Sequence, residues 1–220
     1  MASWMVHLRI ADTLLDRIPD LSAAEFIMGN IAPDSGVPNE DWSSFTPNKT
    51  VSHFKGEDKK AGPAPFAAKY FTASQQKEYD VKQYSFYLGY LVHLLTDRLW
   101  SEKIAIPTME RHADAIRVDK RGTVNKIKDD WYDLDFLYLK RNPGFRAFKI
   151  FEGSVGFQNS YMEEFSLDAF DNRRAYISDF YNQDNENLDR QYPYLTEMEA
   201  NTFVADSTRQ ILAQLNDYCR

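Results

Sequence analysis

The stretch Tyr84-Ser85-Phe86-Tyr87-Leu88-Gly89-Tyr90-Leu91-Val92-His93-Leu94-Leu95-Thr96-Asp97-Arg98-Leu99-Trp100 decides the fold. Its apolar side chains recur on nearly every side rather than in one stripe, the mark of a helix buried on several faces. Two polar residues interrupt it four positions apart, His93 and Asp97. That spacing places them one turn from each other on one face, with Cβ atoms roughly 5–6 Å apart. Phe86, Tyr90 and Trp100 share the stripe, so both polar groups are expected to point inward. A buried carboxylate without a partner is costly or gives up its charge. A hydrogen bond to the neighbouring imidazole, an arginine from elsewhere, or a divalent cation would each resolve that cost.

Outward from this helix the pattern stays helical. Residues 3–18 carry a stripe of Trp4, His7, Ala11, Leu14 and Ile18, ended by Pro19-Asp20. A second helix is expected to start near Ser22, with Glu25 three positions on completing a capping box, and to stop at Pro33. Residues 33–65 have no period and gather Pro33, Pro38, Pro47, Pro63, Pro65, Gly36, Gly56 and Gly62. An irregular loop of that length in a compact domain is usually functional or disordered. Thr72 and Gln75 form a second capping-box signature, opening a helix that runs to about Trp100. Further helices are expected over residues 108–139, broken near Gly122, then over 161–181 and 196–218, with a turn at Asn142-Pro143-Gly144. No strand-type alternation persists. The expectation is an all-α, multi-helix protein in which residues 1–220 form a single domain.

Composition narrows the function. Hydrophobic residues are 43% and charged residues 27% of the 220, as in globular proteins, and aromatics reach 15%, so the core should be ring-packed. A formal net charge of −7 argues against a nucleic-acid binder that works by phosphate neutralisation. Any anionic substrate would need a local source of positive charge, a metal or a small Arg/Lys cluster. The single cysteine, Cys219, fits a reducing compartment. The first nine residues lack the features of a signal peptide, and the apolar run 84–95 is too short to span a bilayer. A cytoplasmic protein without integral membrane association is the expectation.

Three further residues join His93 and Asp97 as candidate ligands. His7 lies on the stripe of the first helix, Asp34 directly follows Ile31-Ala32-Pro33, and His53 sits inside the irregular loop. Each has a plainer reading alone: a core histidine, an Asp-Ser-Gly turn, an exposed loop histidine. Taken together they include three of the chain's four histidines and two carboxylates. Imidazole with carboxylate and no thiolate suits zinc, with manganese or iron as alternatives. Ligation at Asp34 and His53 would also anchor the loop.

Trp4-Met5-Val6-His7, Gly29-Asn30-Ile31-Ala32-Pro33-Asp34, Ser52-His53-Phe54 and the Tyr87–Asp97 run resemble bacterial zinc-dependent phospholipase C and its intracellular relatives. That superfamily is shared with zinc nucleases that cut single strands. The resemblance covers roughly the first 100 residues. It implies an orthogonal helical bundle with a zinc cluster at the base of a cleft. It also implies that Asp34, His53, His93 and Asp97 hold one zinc, while Asp97 bridges to a second ion on His7. In the secreted enzymes the mature amino terminus also ligates that second ion. The family's third ion uses two more histidines and a glutamate four residues after the last. Here only His112 remains, followed four residues later by Ile116, so that motif is missing; Asp130 and Asp133 are candidate substitute carboxylates, with solvated helix-face charges as the plainer reading.

The implied activity is hydrolysis of a phosphoric ester by metal-activated water, with Asp34 as general base. A small-molecule or lipid phosphodiester is the expected substrate, and nucleic acid is not. The competing reading is a non-enzymatic helical protein whose metal site is structural or degenerate. A phosphohydrolase of the HD-domain kind would need an adjacent His-Asp pair, which the sequence lacks.

Overall fold

Short polar side chains start most of the helices in the computed structural model, which describes residues 1–41 and 43–219. The Ser3 hydroxyl accepts the Val6 amide at the head of α1 (Trp4–Leu15). Helix α2 (Ala23–Ile31) passes directly into a 3-10 turn, Ala32–Asp34, where Pro33 supplies no amide. The loop beyond is not structureless. It holds a two-residue antiparallel hairpin, β1 (Val37–Pro38) and β2 (Phe45–Thr46), then α3 (Lys49–Ser52), capped by Asn48, and α4 (Pro63–Tyr70).

Two helices occupy the segment that reads as one in sequence. The capping box of Thr72 and Gln75 opens α5 (Ala73–Glu78), but the chain breaks at Tyr79, and the Asp80 carboxylate caps a new helix, α6 (Val81–Trp100). The helical path then continues through one π turn, Ser101–Ala105, into α7 (Ile106–Arg111). The wider turn lets Pro107 sit in the path although its ring cannot donate. After α8 (Ala113–Val118) comes α9 (Lys120–Arg141). The expected break near Gly122 falls three residues earlier, because Asp119 accepts the Gly122 amide and makes that glycine part of the first turn. Helix α10 (Arg146–Gly153) was not anticipated, and α11 (Ala169–Tyr181) is shorter than the expected 161–181 segment. The last helix, α12 (Glu197–Tyr218), begins with a second complete capping box from Thr196 and Glu199. The box expected at Ser22 does not form: its hydroxyl donates to the Glu25 carboxylate, and its amide is taken by Ser85 Oγ at 2.9 Å.

The centre of the core is the crossing of α2 and α6. A Cβ added at Gly29 would lie 2.1 Å from the Phe86 carbonyl oxygen, and one at Gly89 would lie 2.2 Å from that of Phe26. Real Cβ atoms never approach backbone so closely, so only glycine permits this contact. Fifteen of the 20 residues of α6 are buried, from Ser85 to Trp100 with Arg98 omitted. Gly89, His93 and Asp97 follow one another at four-residue steps, which puts both polar residues on the face that the glycine brings against α2. Among the described residues no helix is long and apolar enough to cross a membrane.

Candidate metal centre

Five side chains from four separate segments converge beneath that crossing. His93 is fully buried, and its Nδ1 donates to the Asn30 carbonyl at 2.8 Å, leaving Nε2 as the free donor atom. The Asn30 amide in turn donates to the Gly89 carbonyl at 3.3 Å, so the glycine crossing sets the angle of the imidazole. Asp97 lies one turn on, with Oδ2 3.7 Å from His93 Nε2 and 3.4 Å from His53 Nε2. Asp34 stands at the end of the 3-10 turn. The indole N–H of Trp4 donates to its Oδ2 at 3.0 Å, and its Oδ1 faces His53 Nε2 at 3.6 Å.

The helix cap places His53. Asn48 starts α3, His53 ends it, and Ser52 Oγ holds the His53 Nδ1 side at 2.9 Å. The loop is tied down by hydrogen bonds of its own: Tyr90 of α6 donates to the Ser52 carbonyl, and the Gly62 amide to the His53 carbonyl at 2.9 Å. A cation is therefore not needed to explain why the loop is ordered. His7 completes the group, its ring stacked on His93 at 3.8 Å and its Nε2 3.4 Å from Asp97 Oδ1. The same Asp97 oxygen accepts the Ala2 amide at 2.8 Å.

The spacing fits a metal. Zinc with nitrogen and oxygen ligands at about 2.0–2.1 Å in a tetrahedron separates neighbouring donor atoms by about 3.3 Å. Around His53 Nε2, the distances to Asp97 Oδ2, His93 Nε2 and Asp34 Oδ1 are 3.4, 3.4 and 3.6 Å. Two overlapping groups, Asp34/His53/His93 and His7/His93/Asp97, each keep their donor atoms within 4.8 Å of one another. Asp97 Oδ2 and both His7 nitrogens are buried without a hydrogen-bond partner, a costly state that a cation would relieve. Burial holds His53 and His93 below the usual imidazole range, His93 at about 3 with the His7 ring adding to the effect. Burial alone would raise the two carboxyls, but the groups around them outweigh it. His93, Lys49 and His53 hold Asp34 below its ordinary value, and His7 holds Asp97 well below its own. Neutral imidazoles and ionised carboxylates are the forms that ligate.

Asp130 and Asp133 do not join the centre. Arg190 binds Asp130 Oδ1 and Asp133 Oδ2, each at 2.6 Å, and Asp130 Oδ2 accepts the Tyr194 amide at 2.8 Å. Asn185 donates to Asp133 Oδ1 at 3.2 Å. Every oxygen of the pair has a partner, and Asp130 is buried, so neither substitute ligand nor solvated charge describes them. His112 also lies elsewhere, its ring edge-on to Tyr194.

A cavity of about 570 Å³ opens beside the centre, with Asp34 in its wall. Trp4, Trp131, Tyr132 and Tyr176 supply rings, and Lys49, Lys128 and Arg173 supply positive charge. None of the three cations was marked by a motif. Arg173 lies beyond the reach of the resemblance, as does Tyr176 in the same cavity wall.

Fold and centre together define an all-α protein with a buried histidine–aspartate site able to hold a metal. A family model described as zinc dependent phospholipase C matches residues 6–129, and the chain belongs to that family. No curated protein and no solved structure matches the chain.

Proposed function

We propose that this protein is a zinc-dependent phosphodiesterase acting on a lipid or small-molecule phosphoric ester. One observation carries the reading: donor atoms of Asp34, His93 and Asp97 lie 3.4–3.6 Å from His53 Nε2, against a cavity with cationic walls. These four would hold one ion, and Asp97 with His7 a second. Bound zinc acts as a Lewis acid toward a phosphoryl oxygen and lowers the pKa of coordinated water toward neutrality.

The chain's own residues do the rest. Asp34 is the one member of the set in the cavity wall, which makes it the group placed to take a proton from the attacking water. The Trp4 indole fixes its Oδ2 at 3.0 Å and leaves that oxygen a second lone pair for the proton. Ser52 and Asn30 hold the His53 and His93 rings from behind, so the donor atoms need little reorganisation. The lone thiol of Cys219 accords with a cytoplasmic location, which fractionation of cells would test.

The test pairs metal analysis with turnover of a generic phosphodiester. Asp97→Asn should lose most bound zinc and at least about a hundredfold in kcat/KM, since it removes the ligand that the two ions would share. Asp34→Asn should lower kcat most. Stoichiometric zinc in the wild-type protein with no turnover of any phosphodiester would sink the enzymatic reading and favour a structural metal.

A further inference from the structure

Among the described residues, none of the three cations of the cavity is within ion-pair distance of a carboxylate. In an acidic chain with 33 Asp and Glu against 26 Lys and Arg, eight of the twelve described arginines make ion pairs with described carboxylates, and Arg173 is, with Arg9, Arg17 and Arg121, one of the four that do not. The exposed Lys49 and Lys128 make none either, and among the described residues Asp34 is the sole carboxylate in the cavity wall.

Arg173 is the most telling. It is 8% exposed, donates to the Gly36 carbonyl at 2.7 Å, and lies 5.2 Å over the Tyr176 ring. Asp34 of the same cavity wall attracts it only from beyond ion-pair distance, and a guanidinium brought so far out of water is better held by an anion in direct contact. Lys49 contacts the Met1 sulfur and the Phe45 ring, and Lys128 projects from α9 beside Trp131. These cations come from α3, α9 and α11, so the charge surrounds the cavity instead of tracking one helix.

The charge exceeds what the reacting group requires. A phosphodiester carries a single negative charge, which a metal held at the centre would balance. Resting on the phosphodiesterase reading above, we infer that the preferred substrate carries a second anionic group on its non-reacting arm. The cavity selects that arm over a cationic ammonium headgroup. Among the described residues the wall offers no carboxylate for an ammonium other than Asp34, which a bound metal would engage, while three positive groups oppose it.

The test compares two probes that share a phosphate and differ in the arm. Calorimetry on the zinc-loaded protein should find phosphoglycolate, with its carboxylate, at least about tenfold tighter than phosphorylcholine. Lys49→Gln/Lys128→Gln, a double change at two exposed positions, should bring the ratio toward one, as should Arg173→Gln. Equal binding of the two probes, or tighter phosphorylcholine, would overturn the inference. In parallel, p-nitrophenyl phosphodiesters with a carboxylate arm and a choline arm separate the two proposals. Binding preference without turnover of either ester would remove the phosphodiesterase reading and leave the anion site standing. Turnover of both at equal kcat/KM would keep the enzyme and remove the selectivity.

Discussion

The α2–α6 crossing and the α9–α12 region hold themselves together in different ways. At the crossing two backbones touch through Gly29 and Gly89, and the polar groups there are buried and held by main-chain carbonyls. In the later region the contacts are long side chains. Arg190 clamps Asp130 and Asp133, Arg141 reaches Glu197, and Phe180 and Tyr181 pack edge-on against Trp4. The first mode fixes atoms to tenths of an ångström, as a metal site demands. The second tolerates more change. The division follows the family match, which covers residues 6–129 and ends within α9.

The most damaging change should be Gly89→Ala. Its Cβ would meet the Phe26 carbonyl at 2.2 Å, a backbone atom that cannot rotate away, so the crossing must open. A loss of about 3 kcal/mol or more is expected by denaturant unfolding, together with reduced zinc content, because Asn30 and His93 separate. Normal stability in this variant would show that the crossing is not the rigid part. Arg190→Ala should cost less, about 1–2 kcal/mol, because it strands the buried Asp130 carboxylate while the exposed side of the clamp finds water. Its zinc content should match the wild type; a loss would mean the two regions are coupled.

A pH titration examines the seam between them. Asp135 of α9 accepts hydrogen bonds from Ser3 at 2.8 Å and Tyr181 at 2.6 Å, and burial pushes its carboxyl up to about 7. The folded protein then holds this proton more tightly than the unfolded chain does. Its contribution to stability is full below about pH 4 and is lost as pH rises toward 7. Asp135→Asn should flatten that decline in melting temperature measured on metal-free protein between pH 5 and 8. An unchanged slope would mean the carboxyl is already ionised at pH 5. The smallest effect belongs to Arg141→Ala, whose ion pair with Glu197 is half exposed: within about 0.5 kcal/mol by thermal melts.

Local rules made part of the site legible. Four-residue spacing put His93 and Asp97 on one face, and Pro33 turned Asp34 back toward the core. The Thr72 box was readable because both of its partners lie within four residues. The Ser22 box failed for a tertiary reason, since Ser85 of another helix supplies the acceptor for the same amide. Asp119 was missed as a cap because the glycine it serves looked like a breaker. Asp130 and Asp133 were read as ligands or surface charges, since nothing in their own segment points to Arg190, 57 and 60 positions away.

What the sequence determined alone was the helical content, the inward face of α6 and the chemical type of the centre, because those depend on spacing within one turn. What the tertiary structure decided was which donors come together at one point and which cations line the cavity beside them. Both depend on segments far apart in the chain being brought within a few ångströms, and no local period encodes that distance. Arg173 and Asp34 are 139 positions apart in sequence, yet they line one cavity.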